Sequence, residues 1–325
     1  MILCASGLCF ASGAGEPKVL VRRAADAGFD GIAIGDDCAR EDLAPLCAAS
    51  LGAGLSVPVI AGAFAEGPLG PGRRLPYLAS LDDSDERRAA VALFEFTLGF
   101  AVSLGIRVLT VHLGDVPLRA KAQDVVYRFA RRELNEDEPG APLWAAAIGE
   151  RMSLSAAVLD ASRYALDRIV PRAERAGVEL SLEVAGGPWS APSPREAQHL
   201  ADEYRDGPVG LVWDEARMQA LASLGIAPSQ ERRATLAAAA TLWRANDAVG
   251  VETGYLPGLG DPPASRSGEP GRPGGLPVIV AGRPDTTSRE LSAARSRVVA
   301  VAIAVAASDA ATDGPPDSPQ GGRRP

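Results

Sequence analysis

The chain has 325 residues, 46% of them hydrophobic and 23% charged, with a formal net charge of −8. That length allows a sizeable core in one large domain or two ordinary ones, and the near-average composition excludes wholesale disorder, a collagen-like repeat and a small disulfide scaffold. The acidic balance argues against nucleic acid as the main partner, because phosphate binding is driven by clustered Lys and Arg that release counterions.

In chain order, short β-like runs alternate with longer helical stretches, the pattern of βα units around a parallel sheet. Eight strands are predicted, at 2–6, 31–34, 56–61, 107–112, 179–184, 209–214, 248–253 and 277–281. Several are continuous apolar runs, as parallel strands buried on both faces require. Helices are predicted at 17–27, 84–104, 153–176, with a break at Pro171, and 193–204, which opens on Ser193-Pro194-Arg195-Glu196. Three strands follow a shared turn, a helix ending at Gly28, Gly105 or Gly177 and then a β run; glycine supplies the left-handed residue that such a turn needs.

Eight strands with intervening helices fit a (β/α)₈ TIM barrel over 1–307, a single domain followed by a disordered Pro/Gly/Asp/Arg-rich tail at 308–325. An open sheet of the same units is the alternative, although Gly13 and Gly15 lack the third glycine of a dinucleotide fingerprint. Glycine- and proline-rich stretches at 65–74 and 256–275 are expected as loops over the C-terminal face. Cys4, Cys9, Cys38 and Cys47 form no C-x-x-C pair and read as small buried side chains in a reducing cytoplasm. Residues 1–10 lack the basic start of a secretory signal, and the longest alanine-rich run, 298–307, is too short to span a membrane, so a cytoplasmic protein without a membrane partner is expected.

On such a barrel, side chains at the C-terminal strand ends point into the mouth. Four predicted strands end in polar residues there: His112, Glu183, Asp214 and Glu252. Buried carboxylates need compensation, which a divalent cation or an arginine can supply. Glu252 is useful only if it points inward, and His199, in an amphipathic helix, reads as a surface residue. His112 is open to two readings, a hydrogen-bonded structural histidine or a ligand or acid/base. Neither Lys18 nor Lys121 lies at a strand end, and no G-x-S-x-G elbow is present.

Phe29-Asp30-Gly31-Ile32, Leu78-Ala79-Ser80-Leu81, Thr110-Val111-His112-Leu113-Gly114, Ala176-Gly177-Val178 leading to Leu182-Glu183, and Val209-Gly210-Leu211 leading to Asp214 resemble, in order and spacing, the xylose isomerase-like TIM barrels. The resemblance covers about residues 17–305 and implies an isomerase or epimerase of carbohydrate metabolism, acting on a small sugar, sugar phosphate or polyol. It implies metal-assisted removal of a proton next to a carbonyl, with Mn²⁺ or Mg²⁺. Glu183 and Asp214 then match the ligands of the fifth and sixth strands, with Glu252 as a third carboxylate. Glu183 doubles as base and His112 acts as acid or hydrogen-bond donor, while Arg217 and Trp213 bind substrate.

The chain departs from the family pattern where it reads Glu252 for the seventh-strand histidine, Ala281 for the eighth-strand glutamate, and Arg217 where histidine often follows the sixth-strand aspartate. With two histidines in all, a trinuclear zinc site is excluded. The alternative is a non-catalytic or ligand-binding barrel without metal, in which Arg217 neutralises Glu183 and Asp214 directly. A homo-oligomer is compatible with either reading.

Overall fold

The computed structural model describes residues 2–6, 17–35, 38, 40–62, 75–118, 141–185, 187–224, 226–245, 247–249, 252–255, 277–280, 289–290 and 292–299. The tail at 308–325, both predicted loops, Cys9 and Ala281 lie outside these residues.

Eight parallel strands close into a barrel. In chain order they are β1 (Leu3–Ser6), β2 (Gly31–Ile34), β3 (Ser56–Ala61), β4 (Val108–Val111), β6 (Glu179–Glu183), β8 (Val209–Asp214), β9 (Ala240–Ala245) and β12 (Val278–Val280), with β12 pairing back onto β1. Two small antiparallel sheets stand apart from the barrel: β5 (Gly114–Asp115) with β7 (Ser190–Ala191), and β10 (Asp247–Val249) with β11 (Glu252–Tyr255). The helices include α1 (Pro17–Asp26), α2 (Arg40–Gly52), α3 (Ser84–Ser103), α4 (Ala141–Ser153), α5 (Ser155–Ala176), α6 (Pro194–Glu203), α7 (Glu215–Ser223) and α8 (Gln230–Ala238). The TIM barrel read from the sequence is the fold observed.

The seventh barrel strand requires a correction. The described residues of the predicted run at 248–253 fall in the small β10–β11 sheet, and the barrel is completed by β9, which starts eight residues earlier. A second correction concerns Pro171, which lies inside the continuous helix α5.

Two layers of apolar side chains follow from the strand alternation. Inside the barrel lie Cys4, Ala33, Val59, Val108, Val212, Leu242 and Ile279. Ser181 and Thr241 also meet, through a 2.7 Å hydrogen bond, and Gly210 makes room for Thr241, whose side chain a Cβ at that position would meet at 2.1 Å. The second layer lies between barrel and helices and includes Ile32, Leu109, Leu180 and Leu182 from strands and Phe94, Leu166 and Ile169 from α3 and α5. Burial, and secondarily the charge of Asp30, pushes the Cys4 thiol up to about 12, so it is an inert packing group. Among the described residues, no helix is long and apolar enough to cross a membrane.

Candidate functional site

The mouth of the barrel is organised by two neighbouring strands that end alike. In β8 the run is Leu211-Val212-Trp213-Asp214 and in β9 it is Thr241-Leu242-Trp243-Arg244, with Trp213 opposite Trp243 and Asp214 opposite Arg244. The tryptophans turn outward, where their rings pack 5.6 Å apart in the core against the helices. Their successors in the chain, Asp214 and Arg244, therefore turn inward. Glu183 ends the adjacent strand β6, and Val212 is its partner in β8.

Asp214 is also the N-cap of α7: its Oδ1 accepts from the backbone N–H of Arg217 at 3.1 Å. That cap fixes the first turn of α7 and places the Arg217 side chain over the strand ends. Arg217 Nη2 donates to Glu183 Oε2 at 2.5 Å, Nη1 donates to the Val184 carbonyl at 2.9 Å, and Nε lies 3.5 Å from Asp214 Oδ2. From the other side, Arg244 Nη2 donates to Glu183 Oε1 at 2.9 Å and Nη1 donates to Asp214 Oδ2 at 3.3 Å. The result is a closed ring of two guanidinium groups and two carboxylates, balanced in formal charge.

Burial pulls the Glu183 carboxyl upward, but Arg244 and Arg217, helped by the charge of His112, hold it well below the usual carboxylate range. Burial opposes the charge of Arg244, yet Glu183 and Asp214 raise its pKa further above the ordinary arginine value. Both carboxylates therefore face guanidinium, the partner that their burial demands.

His112 follows β4 into the mouth and is exposed. Its ring meets Tyr77 edge-on, with centroids 6.2 Å apart, and its Nε2 lies 4.0 Å from Asp115 Oδ1. Asp115 accepts from the Tyr77 hydroxyl and, at 3.0 Å, from Ser190 Oγ.

The sequence-derived residues thus separate into groups. Glu183, Asp214 and Arg217 come together, with His112 near enough to act on the charge of Glu183. Glu252 belongs to β11, outside the barrel strands, because the seventh strand is β9. Trp213 packs against Trp243 in the core, on the opposite face of its strand from Asp214, which corrects its expected place among substrate-binding residues. Arg244, Tyr77 and Asp115 were missed. The matched endings Val212-Trp213-Asp214 and Leu242-Trp243-Arg244 are the sequence signal that could have found Arg244.

The model of the xylose isomerase-like TIM barrel family matches residues 21–256. The chain belongs to that family. No curated protein sequence matches it. Among solved structures it is similar to a D-tagatose 3-epimerase-like protein, at 16% identity and a TM-score of 0.63 over 95% of this chain and 99% of that one. It is also similar to D-psicose 3-epimerase crystallised in the presence of D-fructose, at 14% identity and a TM-score of 0.59 over 94% and 99%. A third similar structure is the IOLI protein with a bound zinc atom, at 13% identity and a TM-score of 0.59 over 94% and 98%.

The donor set does not fit the divalent cation that the family implies. No group of three or more His, Cys, Asp or Glu side chains that could hold a metal occurs among the described residues. Two carboxylates of the expected set, Glu183 and Asp214, already pair with Arg217 and Arg244, so a cation beside them would meet two fixed positive charges.

Proposed function

We propose that this xylose isomerase-like barrel binds a small neutral sugar or polyol at its C-terminal mouth without a divalent cation, and that its role is ligand binding rather than metal-assisted isomerisation. The observation that carries this reading is the ring in which Arg217 and Arg244 bridge Glu183 and Asp214. Likeness in fold to epimerases of free sugars supports the ligand class. A sugar phosphate suits the site less well, because Arg217 already serves Glu183, the Val184 carbonyl and Asp214. The same ring argues against Glu183 as a base, since a carboxylate stabilised well below its usual range takes up a proton poorly at neutral pH.

One observation favours the metal-dependent isomerase as a second reading: Glu183 and Asp214 end adjacent strands as the family pattern requires. That reading needs both guanidinium groups to leave their carboxylates. Calorimetric titration of D-fructose, D-tagatose and D-allulose in the presence and absence of EDTA separates the two. Binding that is unchanged by the chelator is the expected result; binding or epimerisation that appears only with added Mn²⁺ would overturn the proposal.

A further inference from the structure

Beside the arginine ring, the mouth carries a second polar cluster built from three separate segments. Tyr77 precedes α3, His112 and Asp115 follow β4, and Ser190 lies on β7. The short β5–β7 sheet sets Asp115 directly opposite Ser190. Gly114 permits the close approach of Tyr77: its φ is +131°, and a Cβ there would lie 2.6 Å from Tyr77 Cβ and Cγ. The Asp115 carboxylate is thereby fixed by two hydroxyl donors, Tyr77 on Oδ2 and Ser190 on Oδ1. A carboxylate offers about four acceptor sites, so capacity remains for another donor.

His112 Nε2 and Asp115 Oδ1 stand 4.0 Å apart, and both side chains are more than two-fifths exposed. That separation is too long for a direct hydrogen bond, whose heavy-atom distance is about 2.7–3.2 Å. An oxygen about 2.8 Å from each atom would subtend an angle of about 90° between them, within the range of hydroxyl hydrogen-bond geometry. A hydroxyl is the group that can accept from an imidazole N–H and at the same time donate to a carboxylate.

We infer that His112 and Asp115 form a sugar-hydroxyl subsite, in which one hydroxyl of the ligand bridges Nε2 of His112 and Oδ1 of Asp115. The proposal rests on the reading of the mouth as a carbohydrate site and deepens it by naming two residues that touch the ligand. Tyr77 and Ser190 are positioning residues that hold the carboxylate ready, which lowers the ordering cost on binding.

The test is calorimetric titration of D-fructose, D-tagatose and D-allulose into the wild-type protein and into His112→Gln, Asp115→Ala and Tyr77→Phe, with thermal unfolding of each. Monodeoxy analogues of the tightest-binding sugar complete the set. The expected result is a loss of about tenfold in affinity for Asp115→Ala, the equivalent of about 1.4 kcal/mol. His112→Gln, an exposed change that leaves the fold intact, should lose affinity in the same sense. One monodeoxy analogue should bind the wild type as weakly as the parent sugar binds Asp115→Ala, and should lose nothing further in that variant. A cluster that only ties loops together would lower the melting temperature in Asp115→Ala and Tyr77→Phe and leave every affinity unchanged, which overturns the subsite while the carbohydrate reading stands. A wild-type protein that binds none of the three sugars overturns both.

Discussion

Two buried arginine–carboxylate clusters in this protein are alike in chemistry and opposite in setting. Arg151 on α4 and Glu196 on α6 make a bidentate pair, at 2.8 and 2.5 Å, in the helical layer. The remaining capacity of Glu196 goes to Ser155 Oγ at 2.7 Å and to the backbone N–H of Ser193 at 2.8 Å, which completes the capping box of α6. It is a one-to-one pair with exposures of 7% and 1%, joining α4, α5 and α6. The ring at the mouth has two arginines and two carboxylates, with Arg217 at 20% and Arg244 at 16% exposure, and it lies where barrel strands end. The first cluster seals a helix junction. The second lies at the end of the barrel, so the same ion-pair chemistry joins helices in one place and strand ends in the other.

The largest expected effect comes from breaking the sealed pair. Glu196→Ala leaves Arg151 buried without its carboxylate and should cost about 3–5 kcal/mol of stability, measured by urea unfolding, with sugar affinity unchanged where the protein is folded. Glu183→Ala should cost less, about 2 kcal/mol, because Asp214 stays and the partly exposed guanidinium groups can take up water. Unlike Glu196→Ala, it should also change sugar affinity in calorimetry.

A smaller contrast concerns pH. Burial raises the Glu196 carboxyl, but the Arg151 hydrogen bonds and charge outweigh that and hold it below its ordinary value of 4.5; Glu183 is held lower still by its two arginines. Folded-state values below unfolded ones mean that the stabilisation is present above about pH 4.5 and is lost as pH falls toward the folded values. Acid unfolding should therefore begin below about pH 4.5, and Glu196→Gln and Glu183→Gln should each flatten that dependence in melting temperatures measured from pH 3 to pH 6. The smallest effect is expected at the exposed pair Arg88–Asp85 on α3, where Arg88→Ala should leave the melting temperature unchanged within error.

Much of this architecture was legible because apolar runs and glycine turns carry it. Gly28, Gly105 and Gly177 have φ values of 78°, 71° and 63°, as the shared helix-to-strand turn requires. The strands at 31–34, 56–61 and 209–214 were read to the residue. The seventh strand was not legible because Ala237-Ala238-Ala239-Ala240 extends a helical run into it and Arg244 interrupts its apolar pattern, while Val249 and Val251 offer a more strand-like stretch just beyond. That single displacement removed Arg244 from view and put Glu252 in its place. Trp213 was misread because strand alternation decides its face and the tryptophan on the neighbouring strand decides its partner, and the second fact needs the register of β8 on β9. Pro171 failed as a helix breaker because packing of α5 outweighed the local preference, with Ile169, Val170 and Ala173 all buried. The Tyr77–Asp115–Ser190 cluster joins residues up to 113 positions apart, which periodicity cannot show.

The central claim is that Arg217 and Arg244 stand where a cation would be needed. The most direct measurement is equilibrium dialysis against Mn²⁺, with metal counted in the wild-type protein and in the Arg217→Ala/Arg244→Ala double variant. The account expects no stoichiometric metal in the wild type and a gain in Mn²⁺ affinity in the double variant, where Glu183 and Asp214 are released. One Mn²⁺ per wild-type chain, lost in Asp214→Ala, would contradict it.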